Sequence, residues 1–130
     1  MNNKINVLVY AAGVYNFLFA IFHVLFWRLK LFNWEEELPK MSVLNSAVMQ
    51  VMNMCLIAVF LLSGFISFYH NDELINSSLG KSLLIGFSIF WLLRLIEQFV
   101  FFGYRGPLPA VFLLGFLLYA IPALYRLIIQ

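Results

Sequence analysis

Residues 91–102 read WLLRLIEQFVFF, and nine of these twelve residues are apolar. The exceptions are a cation, an acid and an amide, namely Arg94, Glu97 and Gln98. The apolar run extends back to about residue 80. A helix needs ~20 such residues to cross a hydrocarbon core of ~30 Å, because each residue rises ~1.5 Å. The stretch therefore predicts a transmembrane helix that carries charged side chains.

The composition of the whole chain also predicts a membrane protein. Of its 130 residues, 64% are hydrophobic and only 11% are charged, whereas a soluble domain carries roughly 25% charged residues. The net charge of +2 is small and scattered, which excludes the basic surface that nucleic-acid binding requires. The lone cysteine, Cys55, cannot form an internal disulfide.

Four segments have the length and apolarity of membrane spans, roughly residues 6–27, 43–69, 80–102 and 107–128. We predict an all-α membrane protein, a single domain over residues 1–130 folded as an antiparallel bundle of four transmembrane helices. The last two segments are joined by the short sequence GYRGP. In it, Gly103 suits the end of one helix and Pro107 the first turn of the next, so these two helices should be antiparallel neighbours.

The first connection, RLKLFNWEEELPKMS, is the longest. Asn33 and Glu36 have the spacing of a capping box, which predicts a short helix that ends at Pro39. Apolar side chains alternate there with charged ones, a pattern typical of a segment at the lipid–water interface. A solvated loop is the alternative. The second connection, HNDELINSS, is polar and should cap the third membrane helix at Ser77 or Ser78.

The distribution of basic residues favours one orientation. The first and third connections share one side of the membrane and carry four basic residues, Arg28, Lys30, Lys40 and Arg105. The other side has three, Lys4, Lys81 and Arg126. Because cytoplasmic loops are enriched in lysine and arginine, we expect a multi-pass protein with the first and third connections in the cytoplasm.

Polar side chains inside the four segments fall on shared helical faces. Arg94, Glu97 and Gln98 are three and four residues apart, and Trp91 lies one turn earlier. In the first segment, Asn16 and His23 are two turns apart. Alanine and glycine residues flank them, and these small side chains allow another helix to pack closely. The second segment contributes Gln50 and Asn53, and the fourth contributes Tyr119.

The depths of these residues agree. His23 is near the end of the first segment, Gln50 and Asn53 are in the first half of the second, and the Arg94–Gln98 group is in the second half of the third. All of them therefore fall in the half of the bundle near the first and third connections, with Asn16 nearer the midplane. We predict one buried polar pocket with the following ligand-binding candidates: Asn16, His23, Gln50, Asn53, Trp91, Arg94, Glu97, Gln98 and Tyr119.

The chemistry of these groups suggests separate roles. A guanidinium suits a carboxylate or phosphate, so Arg94 is the candidate anion contact. His23 and Glu97 are the candidate catalytic proton carriers. We expect Arg94 and Glu97 to neutralise each other as a buried pair. His23 and Glu97 are only two strong ligands, short of the three or four that zinc takes, so we expect neither a metal nor a cofactor.

Three functions are compatible with such a pocket. The first is binding or transport of a small amphipathic or anionic ligand, which includes lipids. The second is an intramembrane enzyme that acts on a lipid-soluble substrate with His23 and Glu97 as an acid–base pair. The third is an oligomeric channel or a structural subunit, whose polar network joins helices or further copies of the chain. The lipid bilayer is a partner in each case, and nucleic acid in none.

Overall fold

The computed structural model of the protein describes residues 3–104 and 106–129, without the side chains of Arg126 and Ile129. Arg105, and the side chain of Arg126, on which the predicted orientation partly depends, lie outside the described residues. The described residues form six α-helices: α1 (Asn3–Val24), α2 (Trp34–Glu37), α3 (Val43–Tyr69), α4 (Asn71–Asn76), α5 (Ser78–Glu97) and α6 (Leu108–Ile129). Short 3₁₀ turns follow α1 and α2, and a π-helical turn, Gln98–Phe102, follows α5.

Four stretches are long and apolar enough to cross a membrane: Asn3–Trp27, Val43–Tyr69, Ser78–Phe102 and Leu108–Tyr125. They correspond to the four predicted segments, and they confirm an all-α bundle of four membrane-spanning helices. Large apolar side chains cover the outside of the bundle; Val43, for example, is 88% exposed. Such a surface is stable against lipid rather than water. The protein is thus a multi-pass membrane protein.

Serine side chains start two of the long helices. The Ser42 hydroxyl accepts a hydrogen bond from the Asn45 backbone N–H at 3.2 Å, and the Ser77 hydroxyl accepts one from Gly80 at 2.8 Å. The predicted cap at Ser77 is therefore confirmed. After α5, Gly103 has a φ of 65°, a conformation that favours glycine and ends the helix where the sequence predicts.

Helix α1 lies between α3 and α6, and α5 packs along α6. The backbones of α1 and α3 approach closely where they cross, since a Cβ added to Gly13 would lie 3.2 Å from the Gly64 carbonyl oxygen. This confirms that the small-residue face of the first helix allows close packing. Helices α3 and α5 are instead bridged by aromatic side chains, with the Phe60 and Trp91 rings stacked at 5.6 Å.

The first connection is ordered around one buried tryptophan. Trp34, in α2, is 8% exposed, and its ring contacts Trp27 at 5.2 Å and Phe26 at 5.6 Å. The predicted short helix is present. Its capping differs in detail, because the Asn33 amide donates to the Glu36 carboxylate at 2.8 Å instead of accepting from the backbone.

The second connection differs from the expectation of a polar loop, because it contains α4. The two apolar residues of this short helix, Leu74 and Ile75, are 1% and 5% exposed. They pack into the bundle core, and this burial holds in helical form a segment whose other residues are polar.

Candidate functional site

A histidine–asparagine pair joins α1 to α3 in the predicted half of the bundle. The His23 Nδ1 and the Asn53 Oδ1 are 2.7 Å apart, and the Asn53 amide donates to the His23 carbonyl oxygen at 2.9 Å. Because an amide oxygen only accepts, Nδ1 carries the imidazole proton in this arrangement. The ring stacks on Phe26 at 4.3 Å. The two residues are therefore brought together as the sequence predicts.

Arg94, on α5, is held by aromatic rings instead of a carboxylate. Its guanidinium lies 4.1 Å from the centre of the Phe112 ring and 5.6 Å from that of Phe102. One nitrogen, Nη2, donates to the Gln98 side-chain oxygen at 3.4 Å. The other, Nη1, is buried and makes no hydrogen bond to any described residue. The site thus contains a positive charge with an unused hydrogen-bond donor.

Gln98 is buried at the start of the π-helical turn. Its amide nitrogen donates to the Gly103 carbonyl oxygen at 3.4 Å, and its oxygen accepts from Arg94. The side chain therefore links Arg94 to the backbone at the end of the helix. Its 1% exposure agrees with a place inside the predicted half of the bundle.

Glu97 does not form the buried pair with Arg94 that the sequence suggests. Its side chain is exposed, and the ion pairs among the described residues do not include it. The reason is rotational: Glu97 and Gln98 flank the direction of Arg94 at spacings of three and four residues, and the helix turns Gln98 inward. His23, moreover, hydrogen-bonds to Asn53 and not to Glu97, so the proposed acid–base pair is not assembled.

A second buried network lies deeper in the bundle. The Asn16 amide donates to the Tyr119 hydroxyl at 2.7 Å and to the Ala12 carbonyl oxygen at 2.8 Å. The Tyr119 oxygen also lies 2.8 Å from the Ser67 hydroxyl. These contacts tie α1, α6 and α3 together. Each of the three side chains has a neighbour inside the protein, so this network is suited to helix assembly.

The sequence suggested that the buried polar groups lie in one half of the bundle. The structure shows that they also occur in the other half. Ser67 lies close to the end of α3, and its carbonyl oxygen accepts from Asn71 at 3.3 Å. Asn71 is 2% exposed, and its Oδ1 has no hydrogen-bond partner among the described residues. Sequence reasoning missed both residues. The available signal was their spacing of four, which places them on one helical face with Gly64.

The remaining two candidates have packing roles in the structure. Gln50 accepts a hydrogen bond from the Trp27 indole at 3.2 Å, which fastens the first connection to α3. Trp91 is 1% exposed, and its ring packs against those of Phe19 and Phe60. A Cβ at Gly115 would lie 2.8 Å from the Trp91 ring, so α6 makes room for the indole with a glycine.

No family model, curated protein or solved structure matches this chain.

Proposed function

We propose that the protein binds the anionic head of a small amphipathic molecule inside the membrane, with Arg94 as the anion contact. The observation that carries this proposal is the buried Arg94 Nη1, which has no hydrogen-bond partner among the described residues. A carboxylate or phosphate oxygen is the partner that a guanidinium binds best, through short charge-assisted hydrogen bonds.

The energetics support a ligand role over a purely structural one. An arginine at the centre of a span costs ~2.5–3.5 kcal/mol on insertion scales, which sets the upper limit for Arg94 in the second half of its span. Its stacking on Phe112, at 4.1 Å, returns ~0.5–2 kcal/mol. The hydrogen bond to Gln98 is long, 3.4 Å, and stays within one helix, so it does not join helices. An arginine retained only for assembly would be expected to form a hydrogen bond across helices, as Asn16 does to Tyr119, whereas Arg94 contacts α6 by stacking on Phe112.

The surroundings favour an amphipathic ligand over a free ion. The rings of Phe102 and Phe112 lie against the guanidinium within a membrane span, so we expect the anion to arrive attached to a chain that is soluble in the hydrocarbon. Two side-chain amides are candidates for positioning the head group. Gln98 hydrogen-bonds to Arg94, and Asn53 hydrogen-bonds to His23. We assign these residues to positioning the head group.

The test is a comparison of ligand-induced stabilisation in phosphatidylcholine nanodiscs. Dodecyl phosphate, added at a small fraction of the lipid, should raise the unfolding temperature of the wild type, since a ligand that binds only the folded state stabilises it by mass action. Dodecanol, which lacks the anion, should not. Arg94→Met keeps the length and apolar contacts of the side chain but removes the charge, and it should abolish the response.

The matched control is Arg28→Gln, which removes an exposed arginine at the end of the first span. It should respond to dodecyl phosphate like the wild type. An equal response from Arg94→Met, or an equal response to dodecanol, would contradict a site centred on Arg94.

A further inference from the structure

A cleft of about 500 Å³ opens at the other end of the bundle, where α4 meets the last turns of α3 and the first turns of α5. This volume lies within the range of small-molecule sites, ~300–1,000 Å³. It is separate from Arg94, which lies at the opposite end of α5. The lining residues divide into an apolar floor of Ile66, Leu74, Leu79 and Leu83 and a polar rim of His70, Glu73 and Ser77.

The rim carries an accessible carboxylate. The His70 Nδ1 hydrogen-bonds to the Glu73 Oε2. The Glu73 side chain is nevertheless 72% exposed, so it can meet another group. None of the described residues that line the cleft is a lysine or an arginine. The Glu73 carboxylate is therefore the acidic group at the rim, with no lysine or arginine among the described lining residues to neutralise it.

The walls of the cleft are fixed by direct contact of α4 with α5. A Cβ at Gly80 would come closer than 3.0 Å to backbone atoms of Glu73 and Leu74, which means that the two helices touch through their backbones. The floor continues toward the apolar outside of the bundle through Leu79, which is 71% exposed. An apolar chain can thus leave the cleft into lipid while a head group stays at the rim.

We propose that this cleft binds a membrane-dissolved amphiphile whose head is a primary ammonium group. The ammonium would meet the Glu73 carboxylate, and the chain would cover Leu79 and Leu83. Two complementarities favour this occupant: the exposed Glu73 carboxylate suits a positive head, and the apolar floor that leads to the outside of the bundle suits a chain. A metal ion is disfavoured, because His70 and Glu73 supply only two ligands and a bound zinc takes at least three from protein.

The test uses a long-chain primary amine with a diazirine in its chain, and the corresponding carboxylic acid, in phosphatidylcholine nanodiscs that contain the full protein. Photolysis and peptide mapping should locate the amine on residues 66–83. Glu73→Gln keeps the shape of the side chain but removes its charge, and labelling should fall about fivefold, as a charge contact of ~1 kcal/mol at a membrane surface implies. The acid should label residues 66–83 no more than it labels the lipid-facing helices.

Two further variants make the result decisive. Leu79→Trp fills the cleft from a side chain that is 71% exposed, so folding should be preserved while labelling by the amine is lost. Glu35→Gln removes an exposed acid at the far end of the bundle and should leave labelling unchanged. Equal labelling of Glu73→Gln and wild type, equal labelling by amine and acid, or labelling that survives Leu79→Trp would each overturn the proposal.

Discussion

Replacing Gly80 by alanine tests whether α4 is packed directly on α5. The added methyl group would lie under 3.0 Å from backbone atoms of Glu73 and Leu74, and backbone cannot swing aside as the end of a side chain can. The helices would have to separate, and overpacking of this kind costs ~1–3 kcal/mol. Separation would also uncover Leu74, which is 1% exposed and whose full burial is worth ~1.5–3 kcal/mol. We expect a net loss of ~2–4 kcal/mol, since the uncovering is partial.

The same helix provides a matched control. A Cβ at Gly86 meets no heavy atom within 4 Å, so Gly86→Ala adds only helix propensity, a gain of up to ~1 kcal/mol. Unfolding of both variants and the wild type can be followed by tryptophan fluorescence as a denaturing detergent is added to protein in a mild one. Free energies of unfolding for Gly80→Ala and Gly86→Ala that agree within ~1 kcal/mol would refute the direct contact of α4 and α5.

Three further predictions follow from single side chains. Tyr119→Phe should lower the free energy of unfolding by ~1–2 kcal/mol in detergent titrations, because its hydroxyl joins two buried polar groups. Glu97→Gln should change the free energy of unfolding by less than ~0.5 kcal/mol, since the side chain is exposed and outside the described ion pairs. A loss of ~3 kcal/mol would instead support the buried pair with Arg94 that the sequence predicted. Trp34→Ala should speed amide hydrogen exchange across residues 29–41 without affecting α5, because this buried ring anchors the first connection.

The membrane spans could be predicted from sequence because the hydrocarbon core imposes a length and an apolar composition on any helix that crosses it. The end of the third span at Gly103 and the cap at Ser77 were predictable for a local reason, since each depends on the chemistry of one residue and its immediate neighbours. The pairing of His23 with Asn53 could be anticipated in outline, because depth along an antiparallel bundle is fixed by counting residues from the connections.

Three features depend on information that spacing does not contain. Glu97 and Gln98 both lie within one turn of Arg94, and only the rotation of α5 decides which of them enters the bundle. The π-helical turn Gln98–Phe102 changes that rotation locally, and its sequence carries no separate signal. Helix α4 was missed for a different reason. Its residues are mostly polar, and the burial of Leu74 and Ile75 that stabilises it arises from tertiary contacts.

The charge of Arg94 remains chemically effective in the folded protein. Stacking on Phe112 stabilises a cation without neutralising it, because the ring contributes a quadrupole and no charge. Glu97 has an exposed carboxylate that is outside the ion pairs that the described residues form. An anion that reached Nη1 would therefore gain both the attraction and the hydrogen bond, in surroundings where water competes weakly. Glu73, at the other end of the bundle, differs, because its carboxylate is 72% exposed and already hydrogen-bonded to His70; its attraction for a cation is that of a surface charge, which water screens. Arg94 and Glu73 thus place a guanidinium and a carboxylate near opposite ends of the bundle, so the two proposals require head groups of opposite charge and can be tested independently.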